Sequence, residues 1–224
     1  MNDSLITHIM PVTYFGGTGG HLVRSLLISA KTGYEGLWEF SPYGNAHWAP
    51  REQYNRSFNV PHGVDVGISQ IMSMIHDTKI YFNPLETYYE QFHLVSIRDL
   101  MSHFARAIRI CYEYKDVREI SLSMLAKGGI DGGRIKNPED VAELRKFFMA
   151  RQVLGIKHCK DFQIFTQEDR VCCITWNMLL LGAPEQLFDQ LSTFTGLEKF
   201  SLDNLLQWRE LTLKGIRDIE QKIK

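Results

Sequence analysis

The sequence predicts a three-layer α/β domain, a parallel sheet with helices on both faces. Three observations carry that expectation. β-rich runs alternate with segments of helical periodicity; a glycine cluster joins the first such run to the first helix; and no repeat, low-complexity stretch or Pro/Ser-rich linker divides the 224 residues. That length supports one substantial core, and a hydrophobic share of 44% with 23% charged residues is that of an ordinary globular chain. We therefore expect one domain over residues 1–224.

The elements follow in order. Ile9–Phe15 is a β-rich run, and because Pro11 would break a rung inside a central strand, the strand is expected to begin after it. From His21 to Lys31, Leu22, Val23, Leu26, Leu27 and Ala30 fall on one helical face. Residues 33–67, rich in Gly, Pro, Asn and aromatics, read as an irregular excursion over the site. A helix is expected at Val66–His76, a short strand at Lys79–Phe82, and a buried parallel strand at Phe92–Ile97. Asp99 reads as the cap of a helix running to about Lys115. Four glycines between Lys127 and Arg134 predict a flexible surface loop. Asn137-Pro138-Glu139-Asp140 starts a helix that runs to about Leu154. A strand at Val171–Trp176, a helix opened by Pro184 and closed by Gly196, and a final helix capped by Ser201 complete the chain.

Composition excludes several classes. A net charge of −1 gives no basic footprint for nucleic acid or an anionic membrane. No apolar run approaches the roughly 18–20 residues of a membrane span. Met1-Asn2-Asp3-Ser4 lacks the basic start of a secretion signal. The four cysteines, Cys111, Cys159, Cys172 and Cys173, show neither a disulfide framework nor Cys-x-x-Cys spacing. The expected compartment is the reducing cytoplasm.

The chemistry points to Gly16-Gly17-Thr18-Gly19-Gly20. Glycines let a strand turn sharply into a helix and admit a ligand without Cβ obstruction. The unpaired N–H groups of the first helical turn then face an anion, aided by the helix dipole. Thr18 adds a hydroxyl donor, and His21 a ring that donates in the right tautomer. The spacing is not that of a Walker A loop, since no Lys-Ser/Thr follows, and His21-Leu22-Val23 replaces the third glycine of the dinucleotide pattern.

These residues resemble a known family. Phe15-Gly16-Gly17-Thr18 before a helix is similar to the 5′-phosphosulfate loop of sulfotransferases that use 3′-phosphoadenosine 5′-phosphosulfate (PAPS). His93-Leu-Val-Ser-Ile-Arg98-Asp99, followed by Ser102 and Arg106, resembles that family's 3′-phosphate element. Cys173-Ile-Thr-Trp176 and the Pro184–Leu197 segment resemble its late strand, turn and helix. The resemblance implies a P-loop-type, sulfotransferase-like fold and sulfuryl transfer from PAPS to a hydroxyl or amine of a small-molecule or glycan acceptor. It implies a 5′ site at Gly16, Gly17, Thr18, Gly19, Gly20 and His21, and a 3′-phosphate site at Arg98 with Ser102 or Arg106. Two positions depart from it: Phe15 stands where the family places Lys or Arg, and Phe82-Asn83 where cytosolic members carry a catalytic histidine.

Transfer to a hydroxyl needs a group that takes its proton. The candidates are His47, in the irregular Tyr43–Trp48 segment, and His21 on the phosphate helix. No metal site is expected, because no His-x-x-x-His or carboxylate cluster exists. Two alternatives stay open. Gly16-Gly-Thr-Gly-Gly-His21 also matches the loop of the peptidoglycan glycosyltransferase that uses a UDP-sugar, and a protein that kept the fold without the chemistry would bind nucleotide only.

Overall fold

The Ile9–Phe15 run folds as β1 (Ile9–Tyr14), a strand buried along its whole length. It includes Pro11; pairing with the β3 side starts only at Val12, so the missing proline N–H interrupts no rung of that ladder. The computed structural model describes residues 5–46, 88–93, 97–163 and 169–223. The expected helix at Val66–His76 and strand at Lys79–Phe82 lie outside them.

After β1 the chain forms α1 (Gly20–Thr32), β2 (Tyr88–His93), α2 (Ile97–His103) and β3 (Ala107–Cys111). Then come a short 3₁₀ turn, α3 (Val117–Met124), a π-helical turn at Leu125–Ile130, α4 (Pro138–Gln163) and β4 (Val171–Thr175). The one-turn helix α5 (Trp176–Leu180), α6 (Pro184–Thr195) and α7 (Leu202–Ile223) follow. The strands form one sheet in the order β2-β1-β3-β4, with every pairing parallel and helices around it. This is the α/β class expected from the sequence. The core centres on Val12, Ile108, Ile110 and Ile174, packed with Leu22, Leu26, Trp176 and Trp208.

Several boundaries differ from expectation. The second described strand is Tyr88–His93, and Ile97 already belongs to α2. Asp99 therefore lies inside α2 rather than capping a helix to Lys115, and the middle of that expected helix is β3. Ala107, Ile108, Arg109 and Ile110 are all buried, so β3 shows none of the in–out alternation that marks a half-exposed strand. The segment expected as a surface loop at Lys127–Arg134 begins as the π-helical turn that extends α3, with Asp131 N–H donating to Ala126 O at 3.1 Å. Helix α4 continues past Leu154 because Gly155 is a packing glycine. A Cβ there would stand 2.0 Å from the Tyr112 hydroxyl and 2.9 Å from the Phe15 ring.

Three helix ends behave as read. Asn137 Oδ1 accepts from Asp140 N–H at 2.9 Å, and Asp140 Oδ2 accepts from Asn137 N–H at 3.0 Å, a reciprocal cap at the start of α4. Gly196, at φ 74°, ends α6. Ser201 Oγ accepts from Asn204 N–H at 3.3 Å to open α7.

Asn204 also fixes the irregular segment that follows α1. Its Oδ1 accepts from Trp38 N–H at 2.8 Å and its Nδ2 donates to Gly36 O at 2.9 Å. Asn204→Ala leaves both partners without their bond in a buried setting, so it should destabilise the fold by about 2–3 kcal/mol. Urea unfolding of the two proteins measures the loss, and a shift under about 0.5 kcal/mol would show that the segment is anchored elsewhere.

Candidate functional site

In a parallel sheet, loops at the C-terminal ends of the strands share one edge. β1 has β2 on one side and β3 on the other, so the crevice beyond its end is a topological switch point, where open α/β sheets bind ligands. The turn Phe15–Gly19 leaves β1 there and enters α1.

Its conformation is set by contacts on every side. Gly17 and Gly19 have φ of 90° and 88°, in the left-handed region. A Cβ on Gly17 would lie 2.4 Å from Met124 Cγ, and one on Gly20 would lie 2.1 Å from the Tyr14 ring. Gln152 Nε2 donates to Gly16 O at 2.8 Å. Thr18 is fully buried and gives both its N–H (3.1 Å) and its hydroxyl (2.7 Å) to Phe15 O. Its hydroxyl therefore braces the turn instead of serving as the anion donor expected from the sequence. The amides of Gly17, Gly19 and Gly20 have no backbone acceptor among the described residues, and no side chain caps α1. Such a helix start suits an anion.

The turn opens on a cavity of about 340 Å³, whose walls include His21, Asn45, Lys127, Arg134, Arg151 and Trp208. Lys127, Arg134 and Arg151 line it and no carboxylate does, among the described residues. A chain of net charge −1 thus concentrates positive charge at one place. Asn45 reaches the wall because Ser41 Oγ holds its N–H at 2.9 Å while donating to Asp131 Oδ2.

Lys127 comes from the π-helical turn. Its Nζ donates to Thr212 Oγ1 at 3.1 Å and sits 4.8 Å from the centre of the Trp208 ring. Burial pushes its pKa down to about 7, against a smaller opposing pull from Asp131. His21 Nε2 lies 3.2 Å from the Tyr14 hydroxyl. Burial holds the Tyr14 hydroxyl well above the usual phenol range, with Arg24 acting in the opposite sense. Tyr14 therefore stays protonated.

Of the residues expected from sequence, Gly16, Gly17, Gly19, Gly20 and His21 line the cavity, with Thr18 beneath them. His47 lies outside the described residues. Arg98 falls in the first turn of α2, just beyond β2, whose last residue His93 pairs with Tyr14. Ser102 is exposed one turn further on. Arg106 precedes β3, at the opposite end of the sheet from the glycine turn. There its guanidinium lies 4.0 Å over the Phe194 ring and donates to Phe194 O. Lys127 and Arg134 were expected only as the ends of a flexible surface loop, and Arg151 was not anticipated. A lysine beside a glycine pair is the one local signal for Lys127, and Arg151 gave none, being placed by α4 packing across the turn. Its guanidinium lies 5.6 Å from the centre of the Phe15 ring.

Among the described residues, no helix is long and apolar enough to cross a membrane, and no group of His, Cys, Asp or Glu could hold a metal ion. No family model matches the chain, and no curated protein matches it by sequence. Solved structures do. Retinol dehydratase in complex with androsterone and the inactive cofactor PAP superposes at a TM-score of 0.51, with 13% identity over 99% of this chain and 71% of its own. Retinol dehydratase in complex with retinol and PAP gives a TM-score of 0.50, with 13% identity over 99% and 72%. The sulfotransferase domain from the curacin biosynthetic pathway gives 0.47, with 16% identity over 92% and 78%. At 13% identity the first two show a shared fold.

The low pKa of Lys127 makes pH dependence a test of the cavity. An anion favours the charged ammonium, so binding takes up a proton, and affinity is greatest below about 7 and falls as pH rises through it. Sulfate, which does not titrate in this range, should stabilise the fold strongly at acid-neutral pH and weakly in alkali. In the unliganded protein the sign reverses. The unfolded chain binds the extra proton between about 7 and 10.5, so stability rises with pH across that window. Thermal unfolding with and without sulfate reads both, and a sulfate effect that ignores pH would remove Lys127 from the site.

Proposed function

We propose that this chain binds PAPS at the glycine turn and transfers its sulfuryl group to a hydroxyl or amine of a small-molecule or glycan acceptor. The observation that carries the reading is the pairing of the Gly17, Gly19 and Gly20 amides, which have no backbone acceptor among the described residues, with a cavity wall where Lys127, Arg134 and Arg151 and no described carboxylate stand. The shared fold and the PAP named in two similar structures support it.

PAPS supplies an activated sulfuryl group on a bisphosphate nucleotide. The amides of Gly17, Gly19 and Gly20 would hold its 5′ end, where negative charge grows as the sulfuryl group departs. Phe15 cannot supply the cation that its position carries in the resembling family, because it is apolar and buried. Lys127 and Arg151 bring that charge from the π-helical turn and from α4. Arg98, with Ser102 one helical turn on, is the group we assign to the 3′-phosphate. Arg106 is left out, since it is engaged with Phe194 at the far end of β3. His21 or His47 would take the acceptor's proton; the Tyr14 contact holds one nitrogen of the His21 ring in a fixed direction.

A second reading is nucleotide binding without transfer, favoured by the buried apolar residue at position 15. A calorimetric panel of adenosine 3′,5′-bisphosphate, adenosine 5′-monophosphate, ATP and UDP tests the nucleotide, and sulfuryl transfer from PAPS in the same preparation tests the chemistry. The bisphosphate should bind tightest. Arg98→Ala should weaken it by roughly 10- to 150-fold, the equivalent of about 1.5–3 kcal/mol for a lost charged hydrogen bond, while sparing the monophosphate. Equal losses for both ligands, or tighter binding of UDP, would overturn the assignment.

A further inference from the structure

An amine is a nucleophile only as its free base, and most protein lysines are kept cationic by water or a carboxylate. Lys115 and Lys214 are of that kind, exposed and paired with Glu113 and Asp218 at 2.8 and 2.9 Å. Lys127 is not. It is half-buried in the cavity wall, its hydrogen bond goes to a neutral hydroxyl, and among the described residues no carboxylate forms an ion pair with it.

Its place relative to the glycine turn is set by one indole. Trp208 lies 4.8 Å below the Lys127 Nζ, and carbons of the same ring stand 3.4 and 3.5 Å from where a Cβ on Gly19 would be. The amine and the helix-start amides therefore face a common space across a single side chain. A small molecule with an anion at one end and an electrophilic carbon at the other could touch both.

We propose that Lys127 is a covalent-modification site for phosphate-bearing aldehydes, whose phosphate seats on the amides of the glycine turn while the carbonyl carbon meets Nζ. The phosphate half of this proposal rests on the anion site described above. The Nζ lone pair bonds to the carbonyl carbon, and the carbonyl oxygen takes up the amine's proton to give a carbinolamine. Loss of water then forms the imine, with no net oxidation or reduction. The adduct occupies the space over the glycine turn, so it excludes nucleotide. The depressed ammonium pKa of about 7 acts in the same direction, since much of the group is then free base at neutrality.

The test uses the full chain with pyridoxal 5′-phosphate as the probe and pyridoxal as the phosphate-free control. Borohydride, supplying hydride, traps the imine as a secondary amine, and peptide mass spectrometry locates it. Lys127 should label at least about tenfold faster than exposed lysines such as Lys115 and Lys214, given the difference in free-base fraction. Inorganic pyrophosphate should protect it, and pyridoxal should label it far more slowly. Lys127→Arg, with folding verified by cooperative thermal unfolding, should lose the fast label. Labelling spread evenly over exposed lysines, or equal rates with pyridoxal and its phosphate, would overturn the proposal. Protection by pyrophosphate but not by adenosine 3′,5′-bisphosphate would uphold it while defeating the nucleotide assignment.

Discussion

The site depends on a backbone that has nowhere else to go. Gly17 and Gly19 adopt left-handed conformations, and Met124, Leu179, Trp208 and Tyr14 occupy the volume where side chains on the turn would stand. Three helices, α3, α5 and α7, thereby press onto the end of β1 through side-chain contacts with glycine. Among the described residues no side chain caps α1. Packing and the exposure of amides are one requirement here, because the glycines that admit Met124 and Trp208 are those whose N–H groups find no backbone acceptor among the described residues.

Charge is arranged on that scaffold by elements distant in sequence. Lys127 is carried by the π-helical turn after α3, and Arg151 by α4. Asp131 is tied to Ser41 and so joins the segment after α1 to the turn that bears Lys127. Thr212 and Trp208, both on α7, set the position of the Lys127 amine. Desolvation there weakens the ammonium, and an anion bound beside it would restore it.

Where local chemistry decides a structure, the sequence was readable. The glycine turn between strand and helix, the Asn137–Asp140 cap, the Gly196 stop and the Ser201 start all depend on residues within a few positions of one another. Where burial decides, it was not. β3 is covered on both faces and lost its alternation, so Ala107–Cys111 looked like the continuation of a helix. Helix α4 was expected to end near Leu154, but the next residue, Gly155, packs on Tyr112 and Phe15, more than forty residues away in sequence, and the helix runs on. Gly128 and Gly129 suggested a surface loop, yet their segment packs as a wide helical turn. At the site itself, the backbone donors were legible in a five-residue string, whereas the cations were not, because their convergence is a property of α3, α4 and α7 packing together.

The π-helical turn has a consequence for chain length. Surface loops gain and lose residues freely, since their ends stay where the flanking elements put them. A turn closed by i→i+5 bonds holds one residue more than an α-helical turn of the same span. Deleting one residue at Gly128 or Gly129 would let α3 run on as ordinary helix and swing every later position by about 100° around its axis. Asp131 would leave Ser41, and the approach to α4 would be redirected. A glycine-rich stretch that looks permissive in composition is therefore fixed in count, and related chains should vary its residues more readily than its length.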